Sequence, residues 1–434
     1  MSQAQATPAT ATQAALRAEA GVAGATHIRV GHRSDGGILL HGRLDGRNFV
    51  IDIPPGWQGP SALFARGYTF AGMSLNVPKD LVDLSNKEDP WGGFPTAIYK
   101  QGYAVGQISY DKTGLAIESG TRNNIKLKRV FDQIGSTRVL MTGESMGGST
   151  AMSVIDRNPG LFDGALTACA ASDNWSDEVG VVVDMRAVYD YFTANTKYAL
   201  PGGKVLDRSA LSPVAPSLLS PMKLLYFGIQ AKRIASPINK LFTDAQKDPN
   251  DQAAKIVANV ASAAGSKTDP GSFTWRLLLA TLGVDDIRAT YGGNIYSNRD
   301  KIYHADGLSD AENSTLNLKI GRMDANPAAV EKANQWHAST GQMTTPTITM
   351  HNRYDALTPY GQETGLQRKV SLAGNDANLL QLAVPGKQGA VILSKQQGYM
   401  HCGFTPEQVQ YEVGLADQWA RTKHKAEIKP EYLP

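Results

Sequence analysis

The chain has 434 residues, of which 43 are basic and 40 acidic, for a formal charge of +3. A balance so close to neutrality leaves no electrostatic footprint for a nucleic acid, and no apolar run approaches the length of a membrane span, the nearest being pieces such as residues 224–229. Two cysteines, Cys169 and Cys402, exclude both a disulfide framework and a cysteine-rich metal site, while the length allows one large domain or two around a sizeable core.

Residues 1–22 are rich in Ala, Gln and Thr and have neither a basic n-region nor an apolar h-region. They read as a flexible tail of the kind found on a mature exported protein with an added initiator Met, so the expectation is a periplasmic or secreted protein. A disordered cytoplasmic tail has the same composition and is the alternative. Residues 27–32, 37–44 and 48–53 then alternate or run apolar between Gly and Asp punctuation, which predicts consecutive antiparallel strands. After a Pro- and Gly-rich break, residues 61–65 resume as a strand flowing into Arg66-Gly67-Tyr68. A helix around 96–101, a strand at 104–109 and a helix over 121–134 follow. On the last of these, Arg122, Lys126, Lys128 and Arg129 oppose Ile125, Val130 and Phe131, as on a solvated helix face.

From Ala62 onward strands alternate with helices, the signature of a parallel sheet covered on both faces. A strand at 165–171 is the last before the alternation stops. Residues 173–342 read as helical pieces interrupted by a Pro-rich section at 201–221, with the clearest helices at 253–264 and 273–282. The alternation returns with a strand at 345–350, a helix through 362–373, a strand at 379–384 and a final helix at 406–422, opened by Thr405, Pro406 and Glu407. The expected organisation is an α/β core in two parts, 23–172 and 343–434, split by a helical lid inserted at 173–342.

The stretch Val139-Leu140-Met141 ends in Gly143-Glu144-Ser145-Met146-Gly147, after which small and apolar residues recur at helical spacing. A Ser on such a strand-to-helix turn is strained, and Gly is needed two residues to either side, where a Cβ would collide with the neighbouring chain. The serine hydroxyl becomes a nucleophile only when a base takes its proton and a carboxylate fixes the base, and in this arrangement acid and base follow the serine in the chain. Of eight histidines, His27, His32, His41, His304 and His337 fall in the N-terminal strands or the lid, His351 precedes the best acid and His424 sits among basic residues. His401 remains, on a Gly-containing loop between the last strand and the final helix. Asp355, on a polar turn closed by Pro359, is the favoured acid, with Asp173 its rival. The oxyanion donors are then the backbone N–H of Met146 and that of Tyr68, with Gly67 allowing close approach. Arg66 flanks that turn, as a structural residue or as a binder of a substrate carboxylate.

Arg66-Gly67-Tyr68, the Ser145 elbow, Asp355 with Pro359, and His401 together resemble the α/β-hydrolase superfamily, in the superfamily's order and across most of the chain. The run from Ser109 to Ala116 is similar to the strand-to-helix connection of lidded bacterial serine esterases. The His401-Cys402 pair is similar to the tannase and feruloyl esterase group, in which that cysteine pairs with one directly before the serine; here Glu144 holds that position, and Cys169 and Cys402 can pair only if the fold brings them together. The resemblance implies hydrolysis of a small-molecule carboxylic ester through an acyl-enzyme, with no metal or organic cofactor. The lid is expected to supply much of the pocket, with Trp175, Met185, Tyr189, Tyr191 and Phe192 as apolar walls. Arg66, Glu144, Trp175 and Tyr189 are the candidates for substrate contact. A peptidase or acyltransferase using the same residues, or a binding protein that kept the scaffold without the chemistry, are the alternatives.

Overall fold

The computed structural model describes residues 13–70, 73–85, 93–201 and 220–434. Helix α1 (Gln13–Val22) leads into three strands, β1 (Thr26–His32), β2 (Ile38–Leu44) and β3 (Arg47–Ile53), the last two joined by a tight turn in which Asp45 and Gly46 take φ of 48° and 78°. Then come β4 (Pro60–Ala65), α2 (Phe94–Lys100), β5 (Ala104–Ile108), α3 (Ile117–Gln133), β6 (Arg138–Glu144), α4 (Met146–Arg157) and β7 (Gly164–Ala168).

Among the described residues seven helices follow before the next strand of the sheet. They are α5 (Trp175–Thr193), α6 (Ser220–Lys247), α7 (Gln252–Ala263), α8 (Pro270–Leu282), α9 (Val284–Tyr291), α10 (Asp310–Lys319) and α11 (Pro327–His337). The chain closes with β8 (Thr347–Asn352), α12 (Gly361–Leu372), β9 (Leu379–Val384), a short hairpin of β10 (Gln388–Ala390) and β11 (Gln397–Tyr399), and α13 (Pro406–Thr422).

Nine strands form one sheet in the order β1-β2-β3-β5-β4-β6-β7-β8-β9. The pairs β1–β2, β2–β3 and β3–β5 are antiparallel and every pair from β5 to β9 is parallel, which is the α/β-hydrolase architecture that the resemblance implied. The split follows from burial: β5, β7, β8 and β9 are buried at every position, as strands covered on both faces must be, whereas β1, at the sheet's edge, has no fully buried position. One face packs Leu127 and Phe131 of α3, Val154 of α4 and Leu366 of α12; the other packs Ile98 of α2 and Val413 and Trp419 of α13. The inserted helices build one apolar cluster largely of their own and share a second with Tyr110, Leu115, Ile117 and Met146 of the core, yet β7 and β8, which flank them in the chain, are direct neighbours in the sheet. Register brings the C-terminal ends of β4, β6, β7 and β8 to one edge, with Ala65 beside Gly143, Glu144 beside Ala168 and Ala168 beside Met350. Loops leaving that edge are where a ligand meets an open α/β sheet.

Two expectations change. Residues 13–22 of the expected tail are helical, with Leu16 and Ala20 fully buried one turn apart; an Ala-rich run is as good a helix former as it is a tail, and burial of that stripe decides. Residues 1–12, and nearly all of the Pro-rich section at 201–221, lie outside the described residues. The strand expected at 165–171 stops at Ala168, because Cys169 takes φ 45° and turns the chain out of the sheet. The basic face of α3 is satisfied at the surface, where Lys126 pairs with Asp45 at 2.6 Å and Lys128 with Asp132 at 2.8 Å.

Candidate active site

The site begins where β6 becomes α4. Ser145 has φ 54° and ψ −130°, a conformation that a residue with a Cβ adopts only when its surroundings impose it. Its N–H donates to the Ala168 carbonyl at 2.9 Å, tying the turn to β7. A Cβ on Gly143 would stand 2.3 Å from the Gly147 carbonyl oxygen, and one on Gly147 only 2.0 Å from that of Ala65, so the two glycines are steric requirements of the turn. The loop after β4 passes over the serine: a Cβ on Gly67 would lie 3.8 Å from the Ser145 Cβ. Tyr110 Oη donates to the Arg66 carbonyl at 3.2 Å and steadies that loop.

His401 follows β11, and its Nε2 lies 2.8 Å from Ser145 Oγ while its Nδ1 lies 2.8 Å from Asp355 Oδ1. Because an ionised carboxylate only accepts, Nδ1 carries the proton and Nε2 is left to accept from the serine hydroxyl. Asp355 is buried, and Oδ1 also accepts from the N–H groups of Leu357 and Thr358 at 2.7 and 2.9 Å, while Oδ2 accepts from the Cys402 N–H at 2.8 Å. Burial alone would raise its pKa; the charge of His401, the hydrogen bond to it and the donors around it outweigh that and hold it below the usual carboxylate range. The turn is braced from β8, where the buried His351 donates from Nε2 to the Thr358 carbonyl at 3.1 Å.

Three neighbours complete the geometry. Cys169 and Cys402 form a disulfide with Cα atoms 5.3 Å apart, which fastens the His401 loop to the end of β7. The Trp275 ring on α8 meets the imidazole edge-on at 5.9 Å between centroids. Glu178 on α5 is buried and accepts from Thr358 Oγ1 at 3.2 Å; burial pushes its carboxyl up to about 7, against the pull of the His401 charge. A cavity of about 660 Å³ opens onto Ser145 and His401, walled by side chains that include Tyr68, Phe70, Trp175, Phe227, Trp275 and Leu279. Among the described residues, the side chains grouped closely enough to hold a metal are Cys169, His401 and Cys402, and the disulfide occupies both sulfurs.

No protein-family model matches the chain, and no curated protein sequence matches it. Solved structures do resemble it at a distance. Feruloyl esterase B from Aspergillus oryzae superposes with a TM-score of 0.49 at 11% identity, over 94% of this chain and 91% of that one. An esterase from Aspergillus oryzae gives 0.44 at 13% identity, over 90% and 81%. The rice cell wall degrading esterase LipA from Xanthomonas oryzae gives 0.37 at 14% identity, over 82% of each chain. Likenesses this distant transfer no residue roles.

The structure thus brings Ser145, His401 and Asp355 into one hydrogen-bonded line. Asp173, the rival acid, is instead turned toward α12, where it pairs with Lys369. Met146 opens α4, where the first N–H groups of a helix have no acceptor within it. Tyr68, Arg66, Glu144 and Trp175 all line the cavity, although Arg66 spends hydrogen bonds on Thr69 Oγ1 at 2.7 Å and the Leu75 carbonyl at 3.4 Å within its own loop. Tyr189 does not line it. Its ring is fully buried against Phe273 and its hydroxyl donates to the Tyr198 carbonyl at 2.9 Å, because α5 runs away from the sheet edge after its first turns and carries Met185 and Tyr189 into the core of the inserted helices. Sequence reasoning missed Trp275 and Glu178. Trp275 had a signal, an aromatic on a helix already predicted; an acidic residue in the first turn of a helix gave Glu178 none beyond dipole complementarity.

Proposed function

We propose that the protein is a serine hydrolase that cleaves carboxylic esters through an acyl-enzyme. The observation that carries this reading is the unbroken run from Asp355 through His401 to Ser145 Oγ, two contacts of 2.8 Å, ending on a serine held at φ 54°. His401 accepts the hydroxyl proton as Oγ attacks the ester carbonyl, and Asp355 stabilises the imidazolium that forms without taking a proton itself. The N–H groups of Met146 and Tyr68 face the developing oxyanion. His401 then returns the proton to the departing alkoxide, and water repeats the sequence on the acyl-enzyme. A cavity of about 660 Å³ with mostly apolar walls suits a small or medium ester, since ligand pockets of this kind run from roughly 300 to 1,000 Å³.

Residues 173–342 serve as the lid in this reading, because α6 and α8 contribute Phe227 and Trp275 to the cavity wall. The disulfide fits a periplasmic or secreted setting, where such bonds persist. The test is a fluorophosphonate probe with peptide mapping, together with a panel of p-nitrophenyl esters set against peptide amides. Labelling at Ser145 with ester turnover supports the proposal; amide turnover exceeding ester turnover would make it a peptidase, and no labelling would make it a binding protein.

A further inference from the structure

One wall of the cavity carries polar atoms that the ester cleavage above does not use. Trp175 and Glu178 stand one turn apart on α5, both line the cavity, and they are 5% and 2% exposed. Trp175 Nε1 and Glu178 Oε2 have no hydrogen-bond partner among the described residues. An unmet buried donor or acceptor is costly, and here one of each belongs to two residues a turn apart that both line a binding cavity. Leu357, Ala171 and Thr358 line the cavity with them, and Thr358 Oγ1 already donates to the other Glu178 oxygen at 3.2 Å. Glu178 is joined to the triad through Thr358, whose hydroxyl donates to Glu178 at 3.2 Å and whose N–H donates to Asp355 Oδ1 at 2.9 Å, so a group bound at Glu178 lies near the triad.

Resting on the hydrolase reading, we propose that Glu178 and Trp175 form a specificity pair that selects esters bearing a hydroxyl group near the scissile bond. A hydroxyl is the match because it both donates and accepts: it gives its proton to Glu178 and takes the Trp175 N–H on its oxygen. An ammonium has nothing to offer Trp175, and a carboxylate nothing to offer Glu178 in its ionised form. With its carboxyl pushed up to about 7, Glu178 is present as acid and as carboxylate at neutral pH and pairs with a hydroxyl in either form. The terminal torsion of a glutamate is soft, so its carboxyl turns toward a ligand at little cost.

The hydroxyl can sit on the acyl or the alcohol side, and two pairs of near-isosteric esters separate these. One is p-nitrophenyl 3-hydroxybutyrate against p-nitrophenyl 3-methylbutyrate; the other is 2-hydroxyethyl butyrate against propyl butyrate, followed by pH-stat. The wild type should favour the hydroxylated member of one pair by about tenfold or more in kcat/KM, the kind of margin a site built to bind a hydroxyl gives. Glu178→Leu should bring that ratio to about one, Trp175→Phe should lower it, and Glu178→Gln should keep most of it. A wild-type ratio near one in both pairs overturns the proposal, and so does a parallel fall for both members in Glu178→Leu with the ratio intact, the mark of a structural role. If Glu178→Leu does not fold, the wild-type ratios with Glu178→Gln and Trp175→Phe decide. Plain esters turned over without discrimination sink only this inference, whereas no ester turnover and no fluorophosphonate labelling of Ser145 sinks the hydrolase reading beneath it.

Discussion

Ser145 is held by residues within a few positions of it in the chain, His401 by residues from distant stretches. At the elbow, Gly143 and Gly147 permit a turn that β6 and α4 impose from either side, and the long-range help is the approach of Ala65 and Ala168 along the sheet edge. The His401 loop has no such local frame. It is pinned by the disulfide to Cys169, by the Cys402 N–H on Asp355, by Asn352 Nδ2 donating to the Gly403 carbonyl at 2.8 Å and by the Ala356 N–H on the Met400 carbonyl at 3.2 Å. Tyr399, two residues before the histidine, donates its N–H to Asp269 Oδ1 at 2.9 Å, so the inserted helices also grip it. The nucleophile is placed by secondary structure and the base by cross-links, and substitutions should separate the two.

The largest effect comes from removing either member of the central contact. Ser145→Ala and His401→Ala should each lower kcat on a p-nitrophenyl ester by on the order of a million-fold, and the double variant by scarcely more, because the groups act as one unit. A double variant far worse than either single would show that they do not. Next comes the acid. Asp355→Asn should lower kcat by about ten-thousand-fold, since an amide favours the wrong tautomer of His401, while Asp173→Asn should be mild. Reversed magnitudes would move the acid to Asp173, against the 2.8 Å contact at Asp355.

The cross-link tests the comparison directly. The Cys169→Ala, Cys402→Ala double variant should lose about 2–5 kcal/mol of stability, as expected when a bond closing so long a loop is removed. Freed from β7, the imidazole should drift, and a displacement of about 1 Å costs roughly a hundredfold in rate. Fluorophosphonate labelling should slow in proportion while Ser145 keeps its backbone geometry. Denaturant melts with kcat measurements check both, and unchanged kcat would show that the remaining hydrogen bonds suffice to place the base.

The same contrast sets what could be read in advance. The elbow was legible because the residues its turn demands lie within five consecutive positions, and the sheet because strands buried along their whole length leave mostly apolar runs, as in β9. His401 and Asp355 could be named by elimination and chain order, but the meeting of Cys169 with Cys402 could not, since their pairing depends on β7 ending at Ala168 and on where the loop after β11 lands. The inserted helices were the least legible. Trp175 and Tyr189 are aromatics on the same helix, and only the direction in which α5 leaves the sheet puts one on the cavity and the other in a core. Residues 13–22 failed for a simpler reason: composition alone does not separate an Ala-rich helix with a buried stripe from a tail.

The smallest effect is expected where the two regions meet, at Glu412. This residue lies on α13, the helix that begins just after the His401 loop and packs on β7 and β8, and its charge would be felt at Glu144, directly before Ser145. It is fully buried, neither carboxyl oxygen has a hydrogen-bond partner among the described residues, and burial, with Glu363 and Glu144 nearby, raises its pKa well above 4.5. The unfolded chain releases this proton near 4.5 and the folded chain keeps it, so the trapped proton adds no cost below that pH and a growing one as pH rises above it. Glu412→Leu removes the unmet acceptors without lowering helix propensity, and should raise stability by about 1 kcal/mol or more at pH 8. The gain should shrink toward pH 4, where both states of the wild type hold the proton. Thermal melts of the two proteins at both pH values measure this; an equal gain at each would mean that packing, rather than a trapped proton, sets the cost of an acid beneath the elbow.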